Sequence, residues 1–295
     1  MAGLPAVRVS AGHDLLSGAL AACARERYSG RVLVVGTPGG VLHLRDGLVV
    51  AAESPGAPGP EALLLRSGRI DAGVWDAVLR ESGGARPPWA MLVARGALGA
   101  AQLRVMCLMA MRDAVFAMTV GQVDGVGHDP GGEPSAPVEP GELPARLLQD
   151  AARKIRALAA LPYPVVPWRE RPRPAGGVAV LGVLRREIVR HADGRRTARD
   201  LAFLVGRGVY PVTVEIARML ADGVLAQDVA PAPIPVRAAA YELRPREAPD
   251  VGERTPDRRD GLPRRQPGAG APGWKGFFRL RHGGPAQHSR QPRDT

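Results

Sequence analysis

Apolar positions in residues 13–28 recur at helical spacing. Leu15, Leu16, Ala19, Leu20 and Cys23 share one face, and Arg25, Glu26 and Arg27 close the segment, which predicts a helix. The period then changes. Three short apolar runs at 31–35, 41–44 and 48–52 are separated by Gly36-Thr37-Pro38-Gly39-Gly40 and by Asp46-Gly47, and they predict a three-stranded meander. Asp-Gly is the stronger turn signal, because both central residues of a type I′ turn need positive φ.

Helical periodicity returns with an internal repeat. Leu64, Gly68, Ile70, Trp75 and Leu79 recur 28 residues on as Leu92, Gly96, Leu98, Leu103 and Cys107. Each unit reads as helix, glycine break, helix, with the glycine at a C′ position of positive φ and the following apolar residue turning the chain back. Two copies are too few for a solenoid, so the pair predicts one packed helical subdomain. Met106, Cys107, Ala110, Met111, Ala114, Val115 and Met118 continue the second unit as a core stripe. Residues 125–145 and the run 162–177 are rich in Pro and Gly and read as linkers flanking a helix over 147–161.

A compact pattern resumes at Val178. Val180, Leu181, Leu184, Ile188 and Val189 form one helical stripe, and Thr197 caps a second helix that stops at Gly206. A third helix carries Val212, Ile216, Met219 and Leu220, ends at Asp222-Gly223, and leads into a strand over 224–229. Three helices and a strand in this order are the layout of a winged helix. The expected class is therefore α+β: an N-terminal helix, a small antiparallel sheet and a packed helical subdomain, then a winged-helix-like three-helix domain and a disordered tail. The expected boundaries are 1–128, a linker over 129–175, 176–232, and a tail over 233–295, where Pro, Arg and Gly outweigh apolar residues.

The net charge of +11 invites a polyanion, but the tail alone carries 13 basic and 7 acidic side chains, so more than half of the excess lies there. Near-exclusive use of arginine over lysine, with abundant Ala, Gly and Pro, fits a GC-rich genome as well as selection for arginine chemistry. No long apolar span and no leader pattern is found, which predicts a cytoplasmic protein. Cys23 and Cys107 fall on helical apolar stripes and read as buried thiols.

Catalytic chemistry has no foothold in the pattern. His13, His43, His128, His191, His282 and His288 are scattered, no His or Cys pair has metal-ligand spacing, and neither Lys154 nor Lys275 sits in a phosphate-binding loop. Gly268-x-Gly270-x-x-Gly273 follows no strand and opens no helix, and Asp71 with Asp76 reads as surface charge. The expectation is a chain without catalytic, metal or cofactor residues.

Three resemblances bear on function. The first helix, Ser29-Gly30-Arg31-Val32-Leu33-Val34, the stretch from Leu44 to Ala52 and Glu61-Ala62-Leu63-Leu64 together resemble the PATAN domain of bacterial signalling proteins, with Leu44 standing where an aromatic is usual. That resemblance implies a partner-docking role beside other signalling modules. The helical repeat looks like the N-terminal helix pairs of type II secretion ATPases, some of which bind cyclic di-GMP through an Arg-Leu-Gly turn; Pro87-Pro88-Trp89 stands at that place here. Residues 188–202, followed by Leu220-Ala221-Asp222-Gly223-Val224-Leu225, resemble the winged helices of bacterial regulators.

The winged-helix reading nominates Arg195, Arg196, Arg199 and Arg207 for phosphates, with Thr213 and Arg218 on the outer face of the third helix beside the acidic Glu215 and Asp222. Double-stranded DNA and a protein partner are both open for this domain. In the tail, Trp274, Phe277, Phe278, Arg279 and Arg281 hold three of the twelve aromatics and form a candidate interaction motif for a docking site, an anionic membrane or nucleic acid; an inert tail is the alternative. The function expected is a non-enzymatic, signalling-linked transcriptional regulator in which a PATAN-like partner-docking module is coupled to the winged-helix-like domain, with a protein-protein scaffold that binds no nucleic acid as the alternative.

Overall fold

A computed structural model describes residues 11–82, 88–132, 134, 136–176 and 181–227. The chain divides into two units at Ile234, and all described residues belong to the first. The expected tail and its aromatic motif lie outside them.

Helix α1 (Ala11–Arg25) leads into strands β1 (Gly30–Thr37), β2 (Gly40–Arg45) and β3 (Leu48–Glu53), the predicted helix and meander. Asp46 and Gly47 have φ of 51° and 79°, as the Asp-Gly turn requires. A fourth strand, β4 (Gln122–Asp129), pairs antiparallel with β1, and the sheet order is β3-β2-β1-β4. One face of this sheet turns Val32, Val34, Leu42 and Leu44 into a core shared with Leu16, Leu20 and Cys23 of α1. Leu15, expected on the same face of α1, is instead 47% exposed.

Between β3 and β4 the repeat folds as four helices: α2 (Pro60–Arg66), α3 (Ala72–Ser82), α4 (Pro88–Ala94) and α5 (Ala100–Val120). The two glycine breaks are superposable in their bonding. Arg69 and Ile70 N both donate to Leu64 O at 3.0 and 3.4 Å, while Ala97 and Leu98 N both donate to Leu92 O at 3.0 and 3.3 Å. Gly68 and Gly96 have φ of 67° and 68°, which a side chain with Cβ resists. Ile70 and Leu98 dive into a cluster with Leu64, Trp75, Trp89, Leu92 and Met106, in which the two indoles are 4.8 Å apart. The whole methionine stripe of α5 is buried, as a core helix requires.

The segment read as linker carries structure. Helix α6 (Pro144–Ala159) opens three residues before its expected start, because proline is tolerated where the N–H has no intrahelical partner. It packs Leu147, Leu148, Ala151 and Leu158 against the core. Just before it, Val138 N donates to Val50 O, and Val49 and Glu142 exchange backbone bonds, so the chain covers the outer edge of β3. Proline and glycine keep this stretch irregular without detaching it.

Strand β5 (Pro172–Pro174) pairs with β6 (Leu225–Gln227), and between them lie α7 (Val183–His191), α8 (Ala198–Val205) and α9 (Val209–Ala221). Thr197 and Asp200 form a reciprocal capping box at α8, and Gly206 ends that helix at φ 62°. The sequence reading set boundaries around residues 129–175, whereas one apolar core runs from Leu16 of α1 through Leu147 and Leu158 of α6 to Leu201 and Ile216.

Candidate functional site

Helix α9, the third helix between β5 and β6, begins in an unusual way. Gly208 occupies its N-cap position and has no side chain to cap the exposed N–H groups. The cap is delivered instead from α5: Val209 N donates to Asp113 Oδ2 and Tyr210 N donates to Asp113 Oδ1 at 3.0 Å. Asp113 is only 5% exposed, and burial pushes its carboxyl above the ordinary range, opposed by the Tyr210 and Val209 N–H groups and by Lys154. A Cβ on Gly208 would lie 3.2–3.3 Å from the Asp113 carboxylate, so this glycine makes room for the cap. The Tyr210 ring packs edge-on to Phe116 of α5 at 5.3 Å, with Lys154 of α6 5.4 Å from its centroid. The first turn of α9 is thus enclosed by α5 and α6.

The residues nominated for DNA fall into three groups. Arg195 and Arg207 are exposed. Arg196 donates to His191 O at 3.1 Å and pairs with Asp193 at 3.4 Å, while Arg218 pairs with Glu215 at 3.6 Å. Two residues are already engaged by the fold itself. Arg199 sends Nε and Nη2 to Pro55 O at 2.9 and 2.6 Å, pairs through Nη1 with Asp200, and lies over the Phe203 ring, so it ties α8 to the loop after β3. Thr213, expected on the outer face, is fully buried, and its hydroxyl donates to Val209 O at 2.7 Å. The apolar stripe of α9 is wider than Val212, Ile216, Met219 and Leu220 because α5 covers a second side of the helix. Thr213 therefore cannot meet a base edge from where it sits.

On the outer side of α9, Arg185 of α7 bonds to Glu215 and, at 2.8 Å, to Asp222. This crosslink neutralises the face a reading helix would present.

A groove between α5 and α6 was not anticipated. It is lined by Arg112, Glu142, Arg146, Leu147, Asp150 and Arg153, with a volume of about 110 Å³. Arg112 reaches Glu142 at 3.4 Å, and Asp150 is held by Arg153 at 3.0 Å and Lys154 at 2.9 Å. Although burial acts to raise the Asp150 carboxyl, bonds and charge from Lys154 and Arg153 leave it below the ordinary range. Arg112 and Asp150 were visible as charges in helical segments, but their convergence needs the α5–α6 packing.

Both thiols are buried. Cys23 Sγ lies 3.4 Å from His128 Nε2, and burial followed by the charge of Glu26 raises its pKa; Cys107 is raised to about 11 by burial. Both stay protonated at neutral pH. Among the described residues, no group of three or more His, Cys, Asp or Glu is placed to hold a metal ion, and no helix is long and apolar enough to cross a membrane.

The fold and its cleft thus define an α+β chain with a helix-start enclosure and a basic groove. Comparison with known protein families, characterised proteins and solved structures finds no match.

Proposed function

We propose that this chain is a non-enzymatic adaptor of a bacterial signalling system, cytoplasmic, acting through protein partners rather than by reading DNA. The observation that carries the reading is the enclosure of the α9 start by Asp113. In helix-turn-helix readers the N-terminal residues of the second motif helix contact base edges. Here Val209 is fully buried, the Tyr210 ring packs edge-on to Phe116, and Thr213 faces the core. The partner-docking role implied by the PATAN resemblance agrees with this.

The exposed Arg195 and Arg207 favour a second reading, in which the same domain rests on DNA phosphates as part of a transcriptional regulator. The two readings separate in a fluorescence anisotropy titration of random duplex DNA against the full chain and R195A/R196A/R207A across a salt series. The adaptor reading expects the triple variant to change affinity by less than about twofold, any residual binding belonging to the basic tail. A loss of about tenfold or more, with a reduced salt slope, contradicts it.

A further inference from the structure

We infer that the outer face of α5, together with the α5–α6 groove, is the docking surface of this adaptor, and that its partner is an acidic amphipathic helix. The inference rests on the adaptor reading and names the class of partner. Two large apolar side chains of α5 are left in solvent here, Val105 at 54% and Met109 at 52%, and Leu143 at the N-cap of α6 is exposed as well. Helical geometry aligns Val105, Met109 and Arg112, since offsets of four and seven residues return to one face. Arg112 on that face lines the groove and reaches Glu142, so the apolar stripe of α5 leads to the groove.

Charge selects the occupant. Arg112, Arg146 and Arg153 line the groove with Glu142 and Asp150; Glu142 is engaged by Arg112 and Asp150 by Arg153 and Lys154, which leaves Arg146 as the groove cation not committed to either acid. Glu139 at the border is taken by Arg45, and Arg104 donates only to a backbone oxygen, Glu139 O at 2.8 Å. Among the described residues the Arg146 guanidinium has neither a hydrogen bond nor an ion pair, although it lines the groove. A groove of about 110 Å³ is well below the roughly 300 Å³ of a small-molecule site, but it admits one carboxylate side chain. A helix presenting apolar residues at i and i+4 to Val105 and Met109, with a Glu or Asp reaching Arg146, meets every feature of this surface. A basic partner would meet repulsion from the same cations.

The test uses the full chain and a fluorescein-labelled peptide of about 20 residues with Leu at helical spacing and Glu elsewhere, beside a counterpart with Lys in place of Glu. The acidic peptide is expected to bind saturably and the basic one not to bind. M109D and R146E, both at exposed positions, are expected to weaken binding by about tenfold or more with unchanged thermal midpoints, and R279A/R281A in the tail by less than about twofold. Absence of acidic-peptide binding overturns the proposal, as does binding that M109D and R146E leave unchanged or equal binding of the basic peptide. The same samples titrated with duplex DNA keep the two readings apart. A DNA affinity that depends on Arg195, Arg196 and Arg207 sinks the adaptor reading, whereas peptide results alone bear on the surface.

Discussion

Asp113 and Tyr210 lie 97 residues apart in the chain, yet the carboxylate of the first accepts the backbone N–H of the second at 3.0 Å. A helix start that lacks its own capping side chain thus borrows one from a helix on the far side of the sequence. This bond joins the sheet-bearing half to the three-helix half and closes the end of α9 that a DNA reader needs open.

Removing the cap leaves two N–H groups without a partner, one on buried Val209 and one on part-buried Tyr210. Asp113→Ala is expected to cost about 2–3 kcal/mol, combining a lost cap with buried unsatisfied donors. Urea denaturation measures it. A cost below about 0.5 kcal/mol would mean that the α9 start finds other partners.

The pH dependence of this contact has a definite sign. The folded pKa of Asp113 is raised above the unfolded value of about 3.9, so the folded state holds the proton more tightly. Its contribution to stability is fully present below about pH 4 and falls as the pH rises through the folded pKa. The stability of wild type minus that of Asp113→Asn is therefore expected to decline across that window and then level off. A difference that grows with pH contradicts the assignment.

Gly208→Ala probes the space around the same carboxylate. The new methyl would sit 3.2–3.3 Å from Asp113, tighter than ordinary contact, at a residue whose φ of −59° any amino acid adopts. Its effect is therefore steric, and the expected loss of about 1 kcal/mol should shrink in an Asp113→Ala background. Additive losses in a double-mutant cycle would show that the two sites do not touch.

The repeat makes a separate prediction. Apart from its chain neighbours, no atom lies within 4 Å of where a Cβ on Gly68 or Gly96 would stand, so alanine at either position meets only the strain of its positive φ. Gly68→Ala and Gly96→Ala should each cost about 1 kcal/mol, nearly equal and additive. Unequal thermal shifts would show that the matching backbone bonds conceal different environments.

Elements whose signals are local were legible in the sequence. The Asp46-Gly47 turn, the Thr197 cap, the glycine breaks at 68 and 96 and the methionine stripe of α5 each depend on a few neighbouring residues, and each stands as read. Strand β4 was missed because Gly125 and Gly127 dilute its alternation, and its pairing with β1 is a contact across nearly a hundred residues. Thr213 was set on the wrong face because the second neighbour of α9, helix α5, leaves no mark in the α9 sequence. Asp113 did leave one: a lone acid inside Met109-Ala110-Met111-Arg112-Asp113-Ala114-Val115-Phe116, where burial demands a partner. Its partner could not be named from the sequence alone.

The most direct test of the account is amide hydrogen exchange at Val209 and Tyr210 in the full chain, with and without excess duplex DNA. Both amides are expected to exchange only through opening of the core, Asp113→Ala to speed both, and DNA to change neither. Fast exchange in the wild type, or protection that appears only when DNA is added, would show that the start of α9 is open and available to read a groove.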